Sequence, residues 1–216
     1  FNTEAERQLC RSVFGRFLAP NSIVGCGIEM APEAEWSGVK AKYELPDEYV
    51  LYLGRVSKAK VDKLLPYFLR CKAKYGGDAK LVLVGGFENE IRKFDSPDIL
   101  FTGYVSDEEK TAIVRHATVM VNPSPMESLS LLMLEGMQSR IPLLVNGRSK
   151  VMKDHCRLSG AGLWYNNGRD FRKKLHRLLS DPELRRTMSE KGPAYVREHY
   201  DWEIIIPKLR TLIESI

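Results

Sequence analysis

Several absences narrow the field before any motif is weighed. Cysteine occurs four times, at Cys10, Cys26, Cys71 and Cys156, with neither CxxC spacing nor the density of a disulfide scaffold. Reduced thiols in a cytoplasmic protein are therefore expected, and no metal site. No run of 18 or more apolar residues is present, so no transmembrane span is expected. His116, His155, His176 and His199 show no ligand spacing and read as structural or solvent-facing. Gly85-Gly86 continues as Phe87-Glu88-Asn89, not as GxGxxG, which counts against a nicotinamide-dependent oxidoreductase. Low-complexity tracts and internal repeats are missing too. The first residue is Phe1 and no basic-then-apolar leader follows, so the chain reads as a portion of a longer protein.

What is present suffices for a sizeable core: 216 residues, of which 44% are apolar. The net charge of +5 comes from scattered Lys and Arg. Its densest cluster, Arg169, Arg172, Lys173, Lys174 and Arg177, has a bland reading as a solvated helix face. The functional reading is attraction to anionic substrates or to an anionic membrane surface. No nucleic-acid-binding motif accompanies it, and nucleic acid is not expected as a partner.

Strand-like and helix-like stretches alternate through the middle of the chain. Leu9, Val13 and Phe17 have helical spacing over residues 2–17, with Thr3 and Glu6 placed as a capping box. Residues 22–28 read as a short strand, and 31–48 as a connector containing a domain boundary. Strands are then expected at 49–53, 80–84, 99–102, 118–121, 142–145 and 163–165. Helices are expected at 61–74, 88–94, 107–116 and 128–138, and, at the end of the chain, at 171–179, 182–199 and 202–213. This pattern makes an α/β, Rossmann-like parallel sheet with helices on both faces and a helical C-terminal tail. Ligands of such sheets bind beyond the carboxyl ends of the strands. That rule points to the segments opening at Gly54, Gly85, Gly103, Pro123 and Asn146.

The organising stretch is Asn122-Pro123-Ser124-Pro125-Met126-Glu127-Ser128-Leu129-Ser130-Leu131-Leu132-Met133-Leu134-Glu135-Gly136. Prolines end the strand, and an apolar helix is expected from near Ser128. The first turn of that helix has open N–H groups and a positive dipole end, which suit an anion such as a diphosphate. On one continuous helix, Glu127 and Glu135 would stand roughly 12 Å apart along the axis. They could be exposed helix charges, an acid/base pair of a glycoside hydrolase, or holders of sugar and ribose hydroxyls. A hydrolase pair needs carboxyl groups about 5 to 9.5 Å apart, and that spacing disfavours it. Gly54-Arg55-Val56-Ser57-Lys58-Ala59-Lys60 leaves a strand with two cations, Arg55 and Lys60, that read either as surface charges or as phosphate ligands. Gly85 and Gly86 read as a tight turn or as close backbone approach to a phosphate. Ser106 with Glu109 forms a capping box. Tyr104-Val105 lies where a nucleobase could rest.

Together GRVSKAK, LVLVGG, ILFTGYVSD, VNPSPMESLSLLMLEGMQSRIPLLVN and GLWYNN…YVREHYDW resemble the carboxy-terminal domain of a GT-B glycosyltransferase of family 4, the retaining group 1 enzymes. The resemblance implies one half of a GT-B fold. In it, residues 1–30 are a remnant of the amino-terminal acceptor domain and hinge, and 31–48 the connector. Residues 49–200 form the nucleotide-sugar-binding domain, and 201–216 a helix crossing back. It implies that Arg55 and Lys60 bind the donor diphosphate and that Glu127 contacts the donor sugar. Glu135 would bind ribose hydroxyls. The backbone of Ser128, Leu129, Ser130 and Leu131 would lie by phosphate and sugar, and Tyr104 and Val105 would frame the base. The implied reaction transfers a sugar from a nucleotide diphosphate to a glycan or lipid-linked acceptor with retention, without a bound metal or other cofactor. The acceptor would be read by the amino-terminal domain, with peripheral membrane contact as a further expectation. Two departures stand out: Val61 replaces the glycine usual after the lysine, and Ser128 and Ser130 fall in a run where Gly or Phe is common. A non-catalytic nucleotide-binding module, a sugar-nucleotide epimerase and a phosphorylase remain alternatives.

Overall fold

The computed structural model describes residues 1–16, 19–86 and 96–215. Six strands form one sheet: β1 (Tyr49–Leu53), β2 (Lys80–Val84), β3 (Ile99–Gly103), β4 (Val119–Asn122), β5 (Leu143–Asn146) and β6 (Gly162–Tyr165). Every pairing is parallel, and the strand order is β3-β2-β1-β4-β5-β6. The order reverses between β1 and β4, and that switch point opens a crevice at the carboxyl ends. The helices are α1 (Glu4–Phe14), α2 (Trp36–Lys42), α3 (Lys58–Val61), α4 (Leu64–Tyr75), α5 (Asp107–Arg115), α6 (Leu131–Gln138), α7 (Lys150–Ser159), α8 (Gly168–Ser180), α9 (Pro182–Tyr200) and α10 (Trp202–Glu214).

The alternation along each strand divides the core in two. Tyr49 and Leu51 of β1, with Val82 and Val84 of β2, join the core built with α2, α5, α6, α7 and α9. Val50 and Tyr52, with Leu81 and Leu83, face the core built with α3, α4 and α8. A period of two sends neighbours to opposite faces, and both faces are covered, so the strands are apolar except near their ends. Cys71 and Cys156 are buried within these cores as free thiols.

Local signals act where expected at several termini. Ser106 and Glu109 complete a reciprocal capping box on α5. Asp181 caps α9 by accepting from the Leu184 amide, with Pro182 at the first helical position. Thr3 accepts from the Glu6 amide, but the Glu6 carboxylate reaches Asn2 N–H, one residue before the reciprocal position.

Four expectations change. Residues 22–28 join no ladder; they are held by bonds from Val24 N–H to the Phe1 carbonyl and from Ile28 N–H to the Tyr200 carbonyl. The stretch 31–48 carries α2, which packs against α5 and buries Val39 and Leu45. The helix expected over 61–74 begins at Lys58 and splits into α3 and α4. Helix α7 was not anticipated, because three of its buried positions are His155, Cys156 and Ser159 rather than plainly apolar residues. The helix expected at 88–94 and the spacing through Phe17 lie outside the described residues.

Candidate functional site

At the end of β1 the chain turns through Gly54, whose φ of +135° suits glycine. Gly54 N–H donates to the Val84 carbonyl at 3.0 Å, and Val56 N–H to the Gly86 carbonyl at 2.9 Å. The Tyr52 hydroxyl donates to the Arg55 carbonyl at 2.8 Å, pinning the turn from below. Gly85 has φ +129°, and a Cβ there would stand 2.3 Å from the Gly54 carbonyl oxygen. On Gly86 a Cβ would meet the Tyr104 hydroxyl at 2.5 Å. These two glycines therefore let the β1 and β2 turns and the Tyr104 ring stack closely. Tyr104 itself is 87% exposed, whereas Val105 packs on the α5–α6 core.

The β4–α6 loop, 123–130, is held at both ends by one side chain. Asn122 accepts from Ser124 N–H and donates to the Ser130 hydroxyl, each at 3.0 Å. Asn146 donates to the Pro123 carbonyl at 2.9 Å, and Thr3 to the Ser128 carbonyl at 3.2 Å. Ser130 precedes α6 with φ +65°, a strained conformation for serine. Its hydroxyl caps no amide of the helix start, which leaves the first turn of α6 without a side-chain cap. Asn122 and Asn146 were missed as site residues; the Asn-Pro and Asn-Gly turn pairs they open were the available signal.

Helix α6 begins three residues later than expected, so Glu127 lies in the loop, not on the helix. The spacing drawn from a continuous helix does not apply, nor does the argument from it against a hydrolase pair. Environment separates the two carboxylates instead. Glu127 is half-buried and borders a cleft of about 410 Å³ with Ser128, Leu129, Ser130 and Leu131. Burial, and then the charge of Glu127, push the Tyr52 hydroxyl up to about 12. Leu129 and Ser130 are buried.

Glu135 sits on α6 with its side chain 13% exposed, and Oε1 pairs with Lys110 of α5 at 3.3 Å. Among the described residues its other oxygen, Oε2, is buried with no hydrogen-bond partner. A buried carboxylate oxygen without a donor costs on the order of 1–3 kcal/mol, a cost a ligand hydroxyl would remove. Burial opposes the Lys110 charge, but Glu135 and Asp107 outweigh it and raise its pKa.

Helix α6 and the turn after β1 approach each other at one point. Leu132, one turn before Glu135, comes within 3.8 Å of a Cβ built on Gly54. Arg55 is exposed and, among the described residues, forms no ion pair. Lys60, on α3, opens into a neighbouring cleft beside Pro123 and Pro125.

The profile of the family described as glycosyl transferases group 1 matches residues 38–195. The chain belongs to the group 1 glycosyl transferases. Within this family it is similar to the alpha-D-kanosaminyltransferase of Streptomyces kanamyceticus, 30% identical over 174 residues, 74% of this chain and 44% of that protein. It is also similar to the glycosyltransferase 1 domain-containing protein 1 of Xenopus tropicalis, 26% identical over 60% of this chain and 36% of that protein. The chain thus spans less than half the length of these curated relatives. Among solved structures, Anabaena Alr3699/HepE in complex with UDP superposes with a TM-score of 0.82 at 13% identity, covering 100% of this chain and 63% of that one. Sucrose-phosphate synthase from Thermosynechococcus elongatus gives 0.78 at 20% identity, over 99% and 57%. The architecture is accordingly the Rossmann-like half of a GT-B glycosyltransferase.

Proposed function

We propose that this chain is the donor-binding half of a retaining glycosyltransferase that takes a nucleotide-diphosphate sugar. The observation that carries the reading is the orphaned Glu135 Oε2, buried beside the uncapped start of α6 at the β1/β4 switch point. In this reading Glu135 accepts from ribose hydroxyls, and Tyr104 and Val105 frame the base. Arg55, Lys60 and the α6 amides hold the diphosphate, and Glu127 meets the sugar. Gly85 and Gly86 bring the base side of the rim against the Arg55 turn. When the anomeric C–O bond to the diphosphate breaks and the acceptor hydroxyl oxygen bonds to the same face, negative charge grows on the leaving diphosphate, whose oxygen takes up the hydroxyl proton. Arg55, Lys60 and the oriented amides would stabilise that charge. The UDP held by a structural neighbour supports a nucleotide donor.

The domain assignment belongs to the proposal as well. Residues 1–30 and 201–216 would adjoin an acceptor domain, with the boundary inside 31–48, and a glycan or lipid-linked acceptor would be read there. No helix among the described residues is long and apolar enough to cross a membrane. Any cytoplasmic membrane contact would be peripheral, through the basic residues of α8.

The test is calorimetric titration of the chain with UDP, GDP and ADP, repeated on Glu135→Ala and Arg55→Ala. One nucleotide is expected to bind clearly, and both substitutions to weaken it. Equal affinity in wild type and both variants would remove the site assignment.

A further inference from the structure

The 123–130 loop has a second side. Across Pro123 and Pro125 from the Glu127 cleft lies another of about 570 Å³, between the α3–α4 segment and the turns after β5 and β6. Among the described residues, Lys58, Lys60, Lys63 and Arg148 line it with one carboxylate, Asp62. Among the described residues no ion pair neutralises Lys60, Lys63 or Arg148. Like charges gathered in a concave site repel one another and focus a positive potential that an anion relieves.

The cleft is built by contacts that need no ligand. Asn146 holds Pro123 through Nδ2 and receives the Arg148 amide on Oδ1 at 3.0 Å, fixing the turn that carries the arginine. Asn167 caps α8 by accepting from the Arg169 and Asp170 amides. Gly168 leaves room for the Tyr67 ring, which a Cβ there would meet at 2.6 Å. The volume exceeds what a bare phosphate fills and lies in the range of small-molecule sites.

We propose that this basic cleft binds a phosphoryl oxyanion carried on a small hydroxylated molecule. Lys63 and Arg148 contact the phosphate, and Arg148 also borders the Glu127 side of the loop. The inference extends the donor-site reading, in which Lys60 has a part, but it rests on Lys63 and Arg148, to which that reading gives none. The phosphoryl group has two sources: a phosphorylated acceptor sugar, or the free phosphate of a phosphorolytic reaction.

The experiment titrates the chain at low ionic strength with glucose 6-phosphate, inorganic phosphate and glucose, with and without saturating UDP, GDP or ADP. Glucose 6-phosphate is expected to bind and glucose not to. The Lys63→Gln/Arg148→Gln double variant should weaken it about tenfold or more, while nucleotide affinity and melting temperature stay unchanged. Tighter binding of the ester assigns the source to a phosphorylated substrate; equal binding of inorganic phosphate assigns it to free phosphate. No phosphate binding, unchanged affinity in a folded double variant, or displacement of the ester by nucleotide would each overturn the proposal. Should no nucleotide bind, ester binding sensitive to both cations still stands, so the two readings fail separately.

Discussion

The two flanks of the 123–130 loop differ in sign and in burial. On one, Glu135 is set deep, ion-paired through one oxygen and orphaned at the other. On the other, Lys60, Lys63 and Arg148 stand exposed around an open cleft. A buried acceptor discriminates, because a ligand lacking the matching donor leaves the orphan cost in place. Exposed cations attract, and salt screens what they contribute. Under the proposed reading the rim would divide its work: selectivity beside α6, oxyanion attraction beside α3 and β5.

The largest expected effect comes from the keel beneath both flanks. Gly85→Ala would force a Cβ onto the Gly54 carbonyl at a φ of +129°, costing about 3 kcal/mol or more in unfolding free energy. Denaturant titration checks it, and ligand binding on both flanks should weaken together.

Next is the support behind the loop. His155 of α7 is buried, with Nδ1 2.9 Å from the Tyr195 hydroxyl. Burial lowers its pKa from 6.5 to about 4, and the Leu129 backbone and Asp154 only partly oppose this. The folded state thus disfavours the proton that the unfolded chain takes up. Its contribution is complete above pH 6.5 and is lost as pH falls towards 4, on the order of 2–3 kcal/mol. Stability measured across that window should slope in wild type and flatten in His155→Gln.

Arg55→Ala should cost roughly 1.5–2 kcal/mol of nucleotide affinity, with a shallower salt dependence, and leave glucose 6-phosphate binding alone. An equal loss of both ligands would merge the two flanks into one site. Smallest is Ser130→Gly, which relieves the positive φ but deletes the bond from Asn122. Denaturant titration should show the two offsetting to within about 1 kcal/mol.

The sheet was legible because each strand is a short apolar run bounded by turn residues, and buried parallel strands leave that trace. Residues 22–28 misled because a run with Ile23, Val24 and Ile28 reads as a strand whether or not a neighbour pairs with it; here Val24 and Ile28 N–H donate to the Phe1 and Tyr200 carbonyls instead. Helix α2 hid in a Pro- and acid-containing segment, where Glu35 serves as the N-cap by accepting from Ser37 and Gly38 N–H. The start of α6 was misplaced because nothing local reveals that Ser130 turns left-handed before the first helical bond. Glu135 was identified from its spacing, but its partner Lys110 comes from a helix 25 residues earlier in the chain. No local pattern carries a contact of that kind.

The central claim is that the orphaned oxygen of Glu135 waits for a ribose hydroxyl. The direct test is a double-mutant cycle: the nucleoside diphosphate that binds best, and its 2′,3′-dideoxy counterpart, titrated into wild type and Glu135→Ala. The account predicts that wild type prefers the ribose form by about tenfold or more and that the preference vanishes in the variant. An undiminished preference in Glu135→Ala would contradict it.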